Sequence, residues 1–147
     1  MFKHILIPTD GSPVSARAVK AAIAFAKESG ARVTAYHCVD PVPRAMYGDG
    51  YVPSKQIIAE IERRTRAAAQ KHVAAVATAA RKAGVEFDTL IEAPRTSYEG
   101  IVAAAVKRDC DLIFMGTHGY RGLMRLALGS VAEKVTRLSK VPVLVYR

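Results

Sequence analysis

Five short apolar runs, separated by stretches of helical periodicity, constrain this 147-residue chain more than any other feature. The runs cover residues 2–7, 32–39, 85–91, 111–115 and 141–146. Between them Val14, Ala18, Ala21, Ala22 and Phe25 recur at helical spacing, as do Ile101, Val102, Ala105 and Val106 further on. Strands alternating with helices imply one α/β domain, residues 1–147, with a parallel sheet covered on both faces in the Rossmann-like, doubly wound manner. The most continuously apolar runs, around residues 5–7 and 112–115, belong at the centre of such a sheet. The alternating run 85–91 belongs at an edge. The resulting strand order is 3-2-1-4-5, with a switch point between strands 1 and 4, and ligands bind outside the carboxyl ends of strands at such a point. The loops that meet there begin at Pro8 and Gly116.

Punctuation residues support the helices. Ser12 is placed to cap the first, with Pro13 at its first position and Gly30 at its end. Ser54 caps a long helix over residues 55–83, where Ile58, Ile61, Thr65, Ala68, Ala69, Val73, Val76, Ala80 and Ala83 form one stripe and Gly84 stops it. Ser130 and Glu133 have capping-box spacing, so Ser130 is expected to cap a helix running to about Ser139. Residues 40–54, with three prolines and two glycines, read as a surface loop or as a lid that folds Met46, Tyr47 and Tyr51 over a ring.

The stretch Met115-Gly116-Thr117-His118-Gly119-Tyr120-Arg121 onward to Gly129-Ser130 carries the strongest chemical signature. An apolar run stops at a glycine and a glycine-bearing loop leads to a helix start, which is the local architecture of a phosphate cradle. Glycine lets the backbone approach an anion, and the unpaired N–H groups of a helix N-terminus supply donors and partial positive charge. Gly116, Gly119, Gly129, Ser130 and Val131 would wrap phosphates. Asp10, at the end of strand 1, would accept from ribose hydroxyls, a carboxylate being acceptor-only, or would serve as a turn residue. Other phosphate motifs are excluded: G-x-x-x-x-G-K-[ST] is missing, and Gly116, Gly119 and Gly122 lack G-x-G-x-x-G spacing.

Residues 116–135 and 5–12 together resemble the universal stress protein family. Gly116-x2-Gly119-x9-Gly129-Ser130 is similar to that family's ATP-binding pattern at every fixed position. Ile5-Leu6-Ile7-Pro8-Thr9-Asp10-Gly11-Ser12 looks like its opening strand and loop, and Val141-Pro142-Val143-Leu144-Val145 like its last strand. The turn at Pro94-Arg95-Thr96-Ser97 departs from the family's usual glycine and proline turn. The resemblance implies an adenine-nucleotide binding protein of stress or growth arrest, holding ATP, or ADP or AMP, between strands 1 and 4. Mg²⁺ would travel with the nucleotide, without side-chain ligands of its own. Pro8, Thr9 and Asp10 would line the adenosine, Val39 would touch adenine and Met115-Gly116 would complete that wall. Gly119, Gly129, Ser130 and Val131 would hold phosphates, joined by His118 and Arg121.

Composition agrees with this and keeps alternatives in view. With half its residues hydrophobic and 24% charged, the chain has the makeup of an ordinary globular protein. The net charge of +9, with Arg63, Arg64 and Arg66 on the long helix, favours anionic partners, so a nucleic-acid or anionic-surface binder ranks second and a weak ATPase third. Hydrolysis needs a positioned water and usually a ligated metal, and beyond Asp10 no acidic residue lies in the site loops. His4, His37, His72 and His118 show no metal-ligand spacing. Cys38 and Cys110, isolated in strand patterns, suit reduced thiols and a cytoplasmic protein. The first apolar run is cut by Pro8, too short for a membrane span. The last strand, Val143-Leu144-Val145-Tyr146, is apolar for an open edge and is expected to form a homodimer.

Overall fold

The computed structural model describes residues 1–39, 50, 53–117 and 128–147. Met46, Tyr47 and Tyr51, the residues of the suggested lid, lie outside these. Along the described chain β1 (His4–Pro8), α1 (Pro13–Ser29), β2 (Arg32–Cys38), α2 (Lys55–Ala83), β3 (Phe87–Glu92), α3 (Ser97–Lys107), β4 (Leu112–Gly116), α4 (Ser130–Leu138) and β5 (Val143–Tyr146) alternate strictly. The strands form one parallel sheet in the order β3-β2-β1-β4-β5, the order expected from the apolar patterns.

Alternation along the central strands divides the core in two. Ile5, Ile7, Val33, Ala35, Leu112 and Phe114 face α1 and α2, where Val19, Ala22, Ile23, Val73, Val76 and Ala80 meet them. Leu6, Tyr36, Ile113 and Met115 face α3 and α4, against Ile101, Ala104, Ala105, Ala132 and Val135. Ile5, Leu6 and Ile7 have no exposed surface, and burying each such side chain contributes about 1.5–3 kcal/mol. The centre of the sheet therefore fixes β1 and β4 side by side. Asp111 reinforces that pairing, accepting from the backbone N–H groups of Lys3 (2.8 Å) and His4 (3.0 Å). Burial would raise its carboxyl pKa, but these bonds outweigh burial and hold it below the usual value.

Local rules explain the helix ends. The Ser12 hydroxyl accepts from Ser15 N–H at 3.1 Å with Pro13 as the first helical residue, and Gly30 closes α1 at φ 68°. Ser54 caps α2, and Gly84 ends it at φ 73°. Thr96 caps α3, a role the sequence reading did not assign.

Two expectations need correction. The α2 stripe is buried only from Ala69 onward, while Ile58, Ile61 and Thr65 are half-buried and Ala68 is exposed. Twenty-nine helical residues extend about 43 Å, whereas strands of five to seven residues span about 17–24 Å, so the first half of α2 overhangs the sheet. β3 begins at Phe87 instead of Val85, because Val85 N–H is bonded to the Ala80 carbonyl (2.9 Å) as part of the α2 terminus. Pairing with β2 aligns Val33 with Phe87 and extends the strand to Glu92.

Candidate functional site

The carboxyl ends of β1 and β4 lie side by side, and the residues that follow each strand are tied down by short-range bonds. Pro8 is the last residue of β1, paired with Tyr36 and half-buried. Thr9 is buried, and its N–H donates to the Tyr36 carbonyl (2.9 Å). The Thr9 hydroxyl oxygen accepts from Gly11 N–H (3.2 Å) and from the Ser15 hydroxyl (2.9 Å), which ties the loop to the first turn of α1. Asp10 folds back in the same manner, one carboxylate oxygen accepting from Ser12 N–H at 2.9 Å. Its turn role is thus real. A carboxylate offers about four acceptor positions, so this bond is compatible with a further donor such as a ribose hydroxyl.

Across the switch point, Met115 is buried in the α3/α4 core and Gly116 ends β4 in register with Tyr146. A Cβ on Gly116 would stand 3.3 Å from Val14 Cγ1 and 3.4 Å from the Val14 carbonyl oxygen. Glycine there lets α1 begin close against the strand end. Val39, half-buried beyond β2, donates its N–H to the Glu92 carbonyl (2.8 Å). Pro8, Thr9, Asp10, Met115 and Gly116 are thereby gathered along adjacent strand ends, with Val39 one strand further out.

Thr117 closes the constellation. Its carbonyl accepts from Gly129 N–H at 2.8 Å while its own N–H donates to the Tyr146 carbonyl at 3.0 Å. The first turn of α4 is therefore held beside the end of β4, although thirteen residues separate the two in sequence. His118, Gly119 and Arg121, read as phosphate contacts, lie outside the described residues. Sequence reasoning did not single out Thr117, whose only signal is its place just after the strand.

The capping role expected of Ser130 belongs to Gly129. Gly129 holds an extended backbone (φ −61°, ψ 148°), its carbonyl accepts the first helical bond from Glu133 N–H (2.9 Å), and Ser130 is the first residue of α4. The S-x-x-E spacing is thus one residue out of phase, and no side chain caps this helix. The consequence is chemical. The N–H groups of Ser130, Val131 and Ala132 precede the first intrahelical bond, where they and the helix dipole suit an anion. Ser130 is exposed, and the half-buried Val131 side chain packs on the Met115 core, which anchors the turn.

Electrostatics elsewhere do not compete with this edge. Arg63 and Arg64 of α2 both bond Glu60, at 2.9 Å and 2.6 Å, and hold its carboxyl pKa down to about 2. Burial pushes the Cys110 thiol up to about 12, so it is an inert core group. Among the described residues no cluster of three or more His, Cys, Asp or Glu side chains could hold a metal ion. No helix among them is long and apolar enough to cross a membrane.

Comparison with known proteins places this edge in context. The universal stress protein family model matches residues 1–147. A universal stress protein of Methanocaldococcus jannaschii is 41% identical over 147 residues, covering all of this chain and 83% of its own. The solved structure of hypothetical protein MJ0577 is 29% identical with a TM-score of 0.81, covering 99% of this chain and 95% of that one. A universal stress protein of Archaeoglobus fulgidus, solved in complex with dAMP, shares the fold at a TM-score of 0.65 and 20% identity, covering 100% and 98%. With matching family model, relative and strand order, the chain belongs to the universal stress protein family.

Proposed function

We propose that this chain binds an adenine nucleotide, ATP or its di- and monophosphate relatives, at the carboxyl ends of β1 and β4. In this reading it acts as a nucleotide-responsive stress factor, a cytoplasmic homodimer joined through the last strand. Pro8, Thr9, Asp10, Val39, Met115 and Gly116 form the adenosine side, Asp10 accepting from the ribose. Gly129, Ser130 and Val131 hold the phosphates through backbone N–H groups and the Ser130 hydroxyl, and Mg²⁺ arrives with the nucleotide. The dAMP bound by the Archaeoglobus fulgidus protein supports the adenine class of ligand.

The observation that carries the reading is the bond from Gly129 N–H to the Thr117 carbonyl. It places a helix start without a side-chain cap across from a loop whose Asp10 carboxylate can meet a ribose. Those are the two ends of a nucleotide.

The test is mass spectrometry of nucleotide released from the purified protein, followed by calorimetry with ATP, ADP and AMP. Absence of both a released nucleotide and measurable binding would overturn the proposal. Gly129→Glu is the informative variant, because the extended backbone at Gly129 (φ −61°, ψ 148°) is one that any residue adopts. A carboxylate in the phosphate space should weaken ATP binding by roughly two orders of magnitude, at about 1.4 kcal/mol per tenfold, while the circular dichroism spectrum stays the same.

A further inference from the structure

Beneath the β1–α1 loop two histidines meet that no nucleotide contact requires. His37 follows Tyr36 in β2 and points to the opposite face, towards α2, where its ring lies 5.0 Å from that of His72 between centroids. His37 Nδ1 is 2.7 Å from the Thr9 carbonyl oxygen, which accepts, so that nitrogen carries the proton. The His72 ring lies directly against Gly11: a Cβ on Gly11 would overlap its Cε1 and Nδ1, and Gly11 sits at φ 76°. One ring therefore holds the loop at Thr9 and the other supports it at Gly11, with Asp10 between them.

We infer that His37 and His72 clamp the β1–α1 loop in its nucleotide-competent arrangement, and that protonation of His72 loosens the clamp, so that adenine-nucleotide affinity falls as the medium is acidified. The inference rests on the reading that the nucleotide lies against Thr9 and Asp10.

The charged groups around His72 set the direction. His37 faces it from β2, Asp10 from the loop, and Lys71 neighbours it on α2; Lys20 of α1 lines the same groove. Burial first, then His37, lowers the His72 pKa, and Asp10 only partly offsets them. A proton forced onto His72 acts on the loop directly, because the cationic ring, packed against Gly11, attracts the Asp10 carboxylate that the ribose would use. The groove of about 610 Å³ between α1 and α2, which ends at Thr9, Gly11 and His72, gives the ring solvent access and room to swing away.

The experiment measures AMP affinity of the full chain at pH 7.5 and 5.5, for the wild type and for His72→Gln, by calorimetry. Protonation of the AMP phosphate is common to both proteins, so the difference between their pH profiles isolates the clamp. The wild type should lose a few-fold more affinity than His72→Gln, less than the roughly tenfold of a full one-unit shift because the lowered His72 pKa leaves the ring only partly protonated at pH 5.5. Identical profiles would overturn the inference and leave nucleotide binding standing, whereas no AMP or ATP binding at pH 7.5 would overturn both. A second measurement needs no variant. By reciprocity, AMP should lower the His72 pKa followed by imidazole NMR, and an unchanged or raised value would also overturn the clamp.

Discussion

His4 shows how one side chain ties the stability of this fold to pH. It occupies β1 with only 6% of its surface exposed, its Nε2 hydrogen-bonded with the Thr34 hydroxyl at 2.8 Å. Burial, and then the nearby Arg32, lowers its pKa from the ordinary 6.5. Above that value both folded and unfolded chains hold it neutral and it contributes no pH dependence. Below it the unfolded chain takes up a proton that the folded chain resists, so stability falls with pH until the folded pKa is reached. Urea unfolding should accordingly show lower stability at pH 5.0 than at 7.5, with a smaller difference in His4→Gln; an equal difference in the two proteins would refute the linkage. The individual residues of the site were unevenly legible. Asp10 and Gly116 stand out in sequence because each lies in the polar turn that ends an apolar run, Gly116 directly and Asp10 after Pro8-Thr9. His37 and His72 do not, since they are 35 positions apart and meet only because α2 crosses above the end of β2.

Among the elements, a comparison of α1 with α4 separates a structural cap from a binding turn. The Ser12 hydroxyl is buried and bonded to Ser15 N–H, so Ser12→Ala should destabilise the protein by about 1–2 kcal/mol. Ser130 makes no cap bond and is exposed, so Ser130→Ala should leave stability within about 0.5 kcal/mol of wild type. It should nevertheless weaken ATP binding roughly tenfold or more, the effect of losing a hydrogen bond to a charged group of about 1.5–3 kcal/mol. Thermal unfolding with parallel calorimetry checks both, and a Ser130→Ala variant that loses stability instead of affinity would restore the capping role. Helix limits could be read closely because Ser, Pro and Gly act on their immediate neighbours. The phase of α4 could not, since serine and glycine both make acceptable caps and the choice between them depends on the Thr117 bond. Nor could the α2 overhang, because a helical stripe records periodicity but not where the sheet beneath it stops.

At the scale of the whole molecule, the strand order follows from hydropathy because only the middle of a doubly wound sheet is buried on both faces. The same reasoning leaves β5 as an edge to be accounted for. Ile113 N–H donates to the Pro142 carbonyl and Thr117 N–H to the Tyr146 carbonyl, each at 3.0 Å, so the even-numbered residues direct their main chain to β4. Alternation turns the backbone groups of Val143 and Val145 outward, where among the described residues no strand pairs with them. Val143 and Val145 are only half-buried and Tyr146 is 39% exposed, a row of apolar side chains along an open ladder. Pairing with the same strand of a second copy would satisfy both the ladder and the side chains. Val145→Pro removes one outward donor while sparing the bonds to β4, so it should convert a dimer to a monomer in sedimentation velocity with the secondary structure retained. Melting temperature should rise with protein concentration for the wild type and not for the variant, as association linked to folding requires. A wild type that sediments as a monomer would overturn the dimer, whereas a Val145→Pro variant that remains dimeric would move the interface away from β5 to a helical face, the overhanging half of α2 being the first to probe.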